Sequence, residues 1–206
     1  MSHYLETCAH LRPDHSANTP MIVVDLELTG LDRRNDQIIA IGWTLIDDGR
    51  IRLAGNRHIL VSAEQSVGSS ATIHELLDSE VAEGEPLAHG LEELLNAASG
   101  RLWVFHHALL DIGFLKMAVR QWAGTTPGFV VLDTLQIEQK RRHRRDVPVQ
   151  QGDMQLSRLR QEYGLPRYKG HNALSDAFAT AELTLAIAAR LEPDGPLTLK
   201  TYLRYY

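Results

Sequence analysis

At 206 residues and 44% hydrophobic content, the chain can bury a full core and reads as one domain over 21–192, with a loose leader at 1–20 and a tail at 193–206. The net charge of −5 excludes a protein that coats nucleic acid by bulk charge, although a local basic patch and acids gathered around a metal are compatible with that total. Cys8 is the single cysteine, which excludes an intramolecular disulfide; with no secretory signal pattern and no apolar run near the roughly 20 residues of a membrane helix, a cytoplasmic protein without membrane contact is expected.

The leader carries His3, His10 and His15 at irregular spacing, which reads as solvated histidines rather than metal ligands. Met21 to Leu28 follows as a β-branched apolar run, and a period of two puts Asp25 and Glu27 side by side on one face. Two adjacent carboxylates repel. Either they flank a hard cation such as Mg²⁺ or Mn²⁺, or they are a solvated strand edge. Leu31 to Asp36 reads as a turn, Gln37 to Ile46 as a buried strand, Asp47-Asp48-Gly49 as a hairpin turn and Arg50 to Leu60 as its partner. The pattern then becomes helical at Ser69 to Leu77 and at Leu87 to Ala98, the second closed by Gly100. Arg101 to Phe105 is a short strand, Ala108 to Trp122 a helix and Phe129 to Leu132 a strand, with Asp133-Thr134 capping the helix after it. Strands that alternate with helices imply parallel additions to an antiparallel start. Lys140 to Pro148 breaks the pattern, Gln155 to Tyr163 resumes it, and Ala173 to Leu191 is a long alanine-rich helix.

Two further acids stand at helix starts. Asp111 falls in the first turn of the helix after the Trp103 strand, where capping alone explains an acid. His171 follows Gly170 and precedes the helix that carries Asp176; if both were helical they would not share a face, so His171 belongs to the entering loop.

Asp25-x-Glu27 with Thr29-Gly30, His106-x-x-x-x-Asp111 with Phe114-Leu115, and His171-x-x-x-x-Asp176, in that order, closely resemble the motifs of the DEDDh 3′–5′ exonucleases, among them the proofreading epsilon subunit of bacterial DNA polymerase III. The resemblance runs from about Met21 to Arg190, with lesser echoes at Leu132-Asp133-Thr134 and Ile73-His74. It implies an α/β, ribonuclease-H-like fold: a five-stranded mixed sheet of three antiparallel and two parallel strands with helices on both sides. It also implies hydrolysis from the 3′ end of single-stranded or frayed nucleic acid, releasing nucleoside 5′-monophosphates, with DNA favoured.

By the same resemblance, Asp25, Glu27, Asp111 and Asp176 would hold two Mg²⁺ ions, with Mn²⁺ able to substitute, and His171 would take the proton from the attacking water. Leu28, Thr29, Gly30 and Leu31 would line the terminal nucleotide's pocket, with Thr29 and Gly30 offering backbone contacts, while Ile73, His74, His106 and Leu110 match other pocket positions and are equally open to ordinary core or edge packing. Three positions depart from the pattern: Leu28 stands where threonine is frequent, His107 where asparagine is, and Leu110 where phenylalanine is. The cluster Lys140, Arg141, Arg142, Arg144 and Arg145 belongs to no motif and is either a phosphate track or a solvated helix end. An RNA-trimming enzyme of the same family and an inactive module that binds nucleic acid or a polymerase are the alternatives. The aromatic and basic tail, Pro196 to Tyr206, is read as packing on its own domain, with docking on a DNA polymerase or on a second copy left open along with the oligomeric state.

Overall fold

Met21–Leu28 (β1) is a central strand because it has an apolar set for each of its faces. Ile22, Val24, Leu26 and Leu28 enter one core, Met21 and Val23 a second core on the opposite face. The computed structural model describes residues 19–62, 84–191 and 201–206. The expected helix Ser69 to Leu77, with Ile73 and His74, lies outside them, as does most of the leader.

Ile38–Asp47 (β2) pairs antiparallel with β1, and Arg50–Leu60 (β3) antiparallel with β2 through a hairpin whose Asp48 and Gly49 are both left-handed, φ 51° and 68°. Leu102–Phe105 (β4) adds parallel to the other edge of β1, and Val130–Asp133 (β5) adds parallel to β4. Leu203–Tyr205 (β6) then pairs antiparallel with β5, giving the order β3-β2-β1-β4-β5-β6. The sheet has six strands rather than the expected five. The end of the tail covers an edge of unpaired N–H and C=O groups, and three residues are too few to show an alternating pattern in sequence.

Leu87–Ala97 (α1) and Ala108–Ala123 (α2) bury apolar faces in the first core, where Trp103 stacks on Phe105 at 5.9 Å and meets Phe129 edge-on at 5.1 Å. Thr134–Arg144 (α3), Leu156–Glu162 (α4) and Ala173–Leu191 (α5) close the second core through Ile137, Leu159, Leu183 and Ile187. No helix among the described residues is long and apolar enough to cross a membrane.

The expected break at Lys140 begins too early. α3 continues to Arg144 because its basic last turn suits the negative end of the helix dipole and two of the arginines are tied inward. Arg142 is 7% exposed and pairs with Asp153 at 3.1 Å and Glu162 at 2.7 Å, while Arg141 binds the fully buried Glu138 at 2.8 Å. These two are structural and leave the phosphate-track reading to their neighbours.

Asp133 does more than cap the helix after it. Its buried carboxylate accepts from the backbone N–H groups of Leu135 at 3.0 Å and of His107 and Ala108 at 3.1 Å, so it caps α3 and the separate helix α2 together. Asp133→Ala strips one buried charged acceptor from two helix starts, and a loss of roughly 2–4 kcal/mol is expected. Urea unfolding followed by far-UV circular dichroism reads it as a lower midpoint at unchanged slope.

Candidate active site

On the second-core face β1 passes from Met21 and Val23 to Asp25 and Glu27, so the same face turns acidic toward its C-terminal end. The start of α5 rests there because of one glycine. Gly42 of β2 pairs with Asp25, and a Cβ on Gly42 would lie 2.1 Å from the Ala173 carbonyl carbon and 2.3 Å from the Leu174 nitrogen. Asn172 caps the helix, its Oδ1 accepting from the Ser175 N–H at 3.1 Å. One carboxylate oxygen each from Asp25, Glu27 and Asp176 then falls within 4.8 Å of the others.

Asp111 arrives from the other side of β1. Pairing with β4 covers β1 only at Met21 to Val23; farther along, the Leu26 N–H donates to the Asp111 carboxylate. Asp133 bonds the N–H groups of His107 and Ala108, and Asp111, 6% exposed, accepts from its own N–H as well as from Leu26 of β1, a bond that capping of α2 does not explain. Burial, and then the charges of Asp111, Asp176 and Glu27, hold the Asp25 carboxyl well above the usual carboxylate range. Burial likewise pushes Asp111 up to about 8, with Asp133 and Glu27 adding to it. Oxygen donors so close and so averse to carrying charge alone fit hard divalent cations.

His171 is on the loop entering α5, as expected, in a left-handed conformation at φ 69°. Its backbone N–H donates to Asp176 Oδ2 at 2.9 Å, and that bond partly offsets the burial that raises the Asp176 pKa. The loop is anchored by Arg160, 3% exposed, which donates to the carbonyls of Ala179 at 2.5 Å and Pro166 at 2.8 Å, binds Glu182 at 2.7 Å and lies over the Tyr168 ring at 4.7 Å. A groove of about 690 Å³ opens beside it, lined by His171, Asp176, Tyr168, Arg158 and Arg167.

The residues matched to a nucleotide pocket divide. Leu31 is 76% exposed at the rim, whereas Leu28 is buried in the first core and Leu110 packs against that core. The Thr29 hydroxyl donates to Asp36 at 3.1 Å and accepts from the Gln37 N–H at 2.9 Å, and Gly30 leaves room for the Asp36 carboxylate, so this loop is shaped by an aspartate that sequence reading passed over. His106 is spent on structure: Nε2 donates to the Met154 carbonyl and Nδ1 bonds the Thr134 hydroxyl, both at 2.8 Å, and burial lowers its pKa. His107 has φ 75°, a region in which histidine and asparagine are both enriched, so histidine can make this turn where the family pattern often has asparagine. Gly42 was also missed; an isolated glycine inside a buried strand was its one signal. His58 carried no signal. It stands across Gly42 on β3, near enough for the Glu27 charge to act against the lowering of its pKa by burial.

A family model described as Exonuclease matches residues 22–184, a span that contains every one of these acids. The chain belongs to this exonuclease family. A PolC-type DNA polymerase III from Caldanaerobacter subterraneus subsp. tengcongensis is 29% identical over 175 residues, 84% of this chain and 12% of that protein. The 3′-5′ exonuclease DinG of Bacillus subtilis is 28% identical over 186 residues, 87% of this chain and 19% of that protein. The exonuclease-family chain thus spans a fifth or less of the length of these relatives. Its fold matches that of E. coli Exonuclease I in complex with a dT13 oligonucleotide, with a TM-score of 0.70, 13% identity, and coverage of 84% of this chain and 41% of that one.

A pH dependence follows from the carboxyl shifts. The Asp111 pKa is raised above its unfolded value of about 3.9. Its contribution to stability is therefore full below pH 4 and is lost as pH rises through about 8; Asp25 and Asp176 shift in the same direction. In EDTA the melting temperature should fall between pH 5 and pH 8.5, and millimolar Mg²⁺ should restore it chiefly at the alkaline end. A melting curve in EDTA that rises over this range would contradict the cluster's electrostatics.

Proposed function

We propose that this chain is a metal-dependent 3′–5′ exonuclease that acts on single-stranded or frayed DNA ends and releases nucleoside 5′-monophosphates. The observation that carries the reading is the convergence of the Asp25, Glu27 and Asp176 oxygens within 4.8 Å, with the Asp111 charge acting on Asp25. Asp25, Glu27, Asp111 and Asp176 would hold two Mg²⁺ ions, or Mn²⁺ in their place. When bound, such cations supply Lewis acidity toward the phosphate and favour hydroxide near neutral pH. Asp176 is held toward the cluster by the His171 N–H and by the seat that Gly42 leaves for α5. His171, on the exposed loop, is the general base that takes a proton from the attacking water on its imidazole. Leu31, the backbone at Thr29 and Gly30, and Leu110 would line the terminal nucleotide's pocket. Ile73 and His74 keep their proposed places in that pocket, whereas the bonding of His106 argues for support of the turn instead.

Kinship with PolC-type DNA polymerases favours DNA over RNA and makes association with a polymerase a reasonable arrangement. Digestion of 5′-labelled DNA and RNA strands of one sequence in Mg²⁺, with His171→Ala in parallel, tests the reading. A ladder that shortens from the 3′ end is expected, faster on DNA and slowed about 10²–10⁴-fold in the variant. No cleavage of either strand by folded protein in Mg²⁺ or Mn²⁺ would leave a binding module in its place.

A further inference from the structure

With Arg141 and Arg142 tied to acids, the basic cluster changes its membership. Lys140 and Arg144 of α3 stand with Arg204 of β6, a residue remote in sequence that the pairing of β6 with β5 brings beside them. Lys140 donates to the Thr201 carbonyl at 3.1 Å, Arg144 to the Tyr202 hydroxyl at 3.3 Å, and Arg204 to Gln136 Oε1 and the Leu203 carbonyl, both at 3.1 Å. All these acceptors are neutral. None of the three has a carboxylate within 4 Å among the described residues, and Lys140 and Arg144 flank a single Tyr202 ring at 5.7 and 5.9 Å. Three cations gathered with no ion-paired carboxylate among the described residues repel one another, and a polyanion relieves the repulsion.

The patch reaches the start of the helix that carries Asp111. A groove of about 380 Å³ is lined by Lys140 and Arg204, by Gln136, Gln139 and the capping Asp133, and by Leu109 and His107 at the start of that helix, α2. Leu109 is 55% exposed there and His107 is exposed, so one end of the groove offers an apolar contact and a ring while the other offers cations. That sequence of surfaces suits unpaired bases on a phosphate backbone better than a folded acidic protein.

We infer that the groove from His107 to Lys140 and Arg204 holds the single strand upstream of its 3′ terminal nucleotide, its phosphates on these two cations, with Arg144 beside Lys140 adding to the positive field. The inference rests on the exonuclease reading for the strand's direction. It also resolves an electrostatic conflict, because the acids that would serve the terminal phosphodiester repel the rest of the strand, and cations along the groove offset that repulsion.

The test compares wild type with Lys140→Gln/Arg204→Gln, and with Lys140→Gln alone in case β6 depends on Arg204. Arg50→Gln/Arg120→Gln serves as a charge-matched control from exposed positions elsewhere. Fluorescence anisotropy with 5′-fluorescein dT15 in EDTA, at several salt concentrations, reads binding independently of cleavage. The double variant should bind about tenfold more weakly at 0.1 M salt, with a log–log salt slope shallower by about 1.4, the value for two lost contacts on a single strand. In Mg²⁺, its kcat/KM for dT15 should fall about tenfold relative to that for p-nitrophenyl thymidine 5′-monophosphate, an ester with no upstream strand. Unchanged affinity and slope, an equal loss in the control, or an equal loss on the ester would each overturn the inference. So would unchanged dT15 binding alongside lost binding of poly-glutamate, which would assign the surface to an acidic protein. If wild type cleaves neither strand nor ester while the anisotropy difference stands, the exonuclease reading fails and the strand surface remains.

Discussion

Asp25→Asn is expected to reduce strand cleavage on the order of 10⁴-fold, the scale on which single members of a concerted catalytic set act, and at the same time to raise the melting temperature of the metal-free chain at pH 8. The two effects share a cause. Asp25 lies in the middle of the acidic cluster, and burial together with the charges of Asp111, Asp176 and Glu27 makes its ionised form unfavourable in the folded state. Asparagine keeps the shape and removes that charge. A gain of 1 kcal/mol corresponds to about 2–4 °C in a chain of this size, so a rise of several degrees is anticipated. At lower pH, where protonation of the raised Asp25 carboxyl removes more of that charge, the difference should shrink. Divalent cations should reverse the order, because Mn²⁺ stabilises whichever chain binds it more tightly. Differential scanning fluorimetry at pH 8 and at lower pH, with EDTA and with Mn²⁺, decides the matter. A variant less stable than wild type in EDTA at pH 8, or one whose Mn²⁺ shift is undiminished, would exclude Asp25 from the metal site.

The second large effect comes from a residue with no functional groups. Gly42→Ala should lose about 2–3 kcal/mol of stability and about 10²-fold or more in cleavage, because the added methyl meets the backbone of Ala173 and Leu174 rather than a side chain that can turn away. α5 must lift, and Asp176 lifts with it. Gly49→Ala provides the contrast: it sits at φ 68° with open space around the missing Cβ, so it should cost about 1 kcal/mol and leave cleavage intact. Measuring both variants by urea denaturation and by strand digestion separates general destabilisation from displacement of Asp176. Wild-type stability and activity in Gly42→Ala would mean that α5 does not need its close seat on β2.

Much of the architecture was readable because its causes are local. The β-branched run to Leu28, the Asp48-Gly49 turn and the alanine-rich helix from Ala173 each carry their own periodicity or turn chemistry, and the structure places all three as expected. β6 was not readable, since its three residues form a strand only by completing the edge of β5. Nor was the fate of the basic run. Arg142 and Lys140 look alike in sequence, yet one is buried against Asp153 and Glu162 and the other bonds only a backbone carbonyl.

What the sequence determined by itself was the pairing of Asp25 with Glu27, because alternation along a strand is a property of the backbone, together with the order and spacing of the motifs that carry Asp111, His171 and Asp176. Tertiary structure alone decided that these acids meet. A glycine on β2 admits the start of α5, the Leu26 N–H ties Asp111 to β1, and Arg160 anchors the His171 loop. Each is a contact between residues far apart along the chain, and local periodicity carries no information about which distant side chain, or which missing one, a surface will meet.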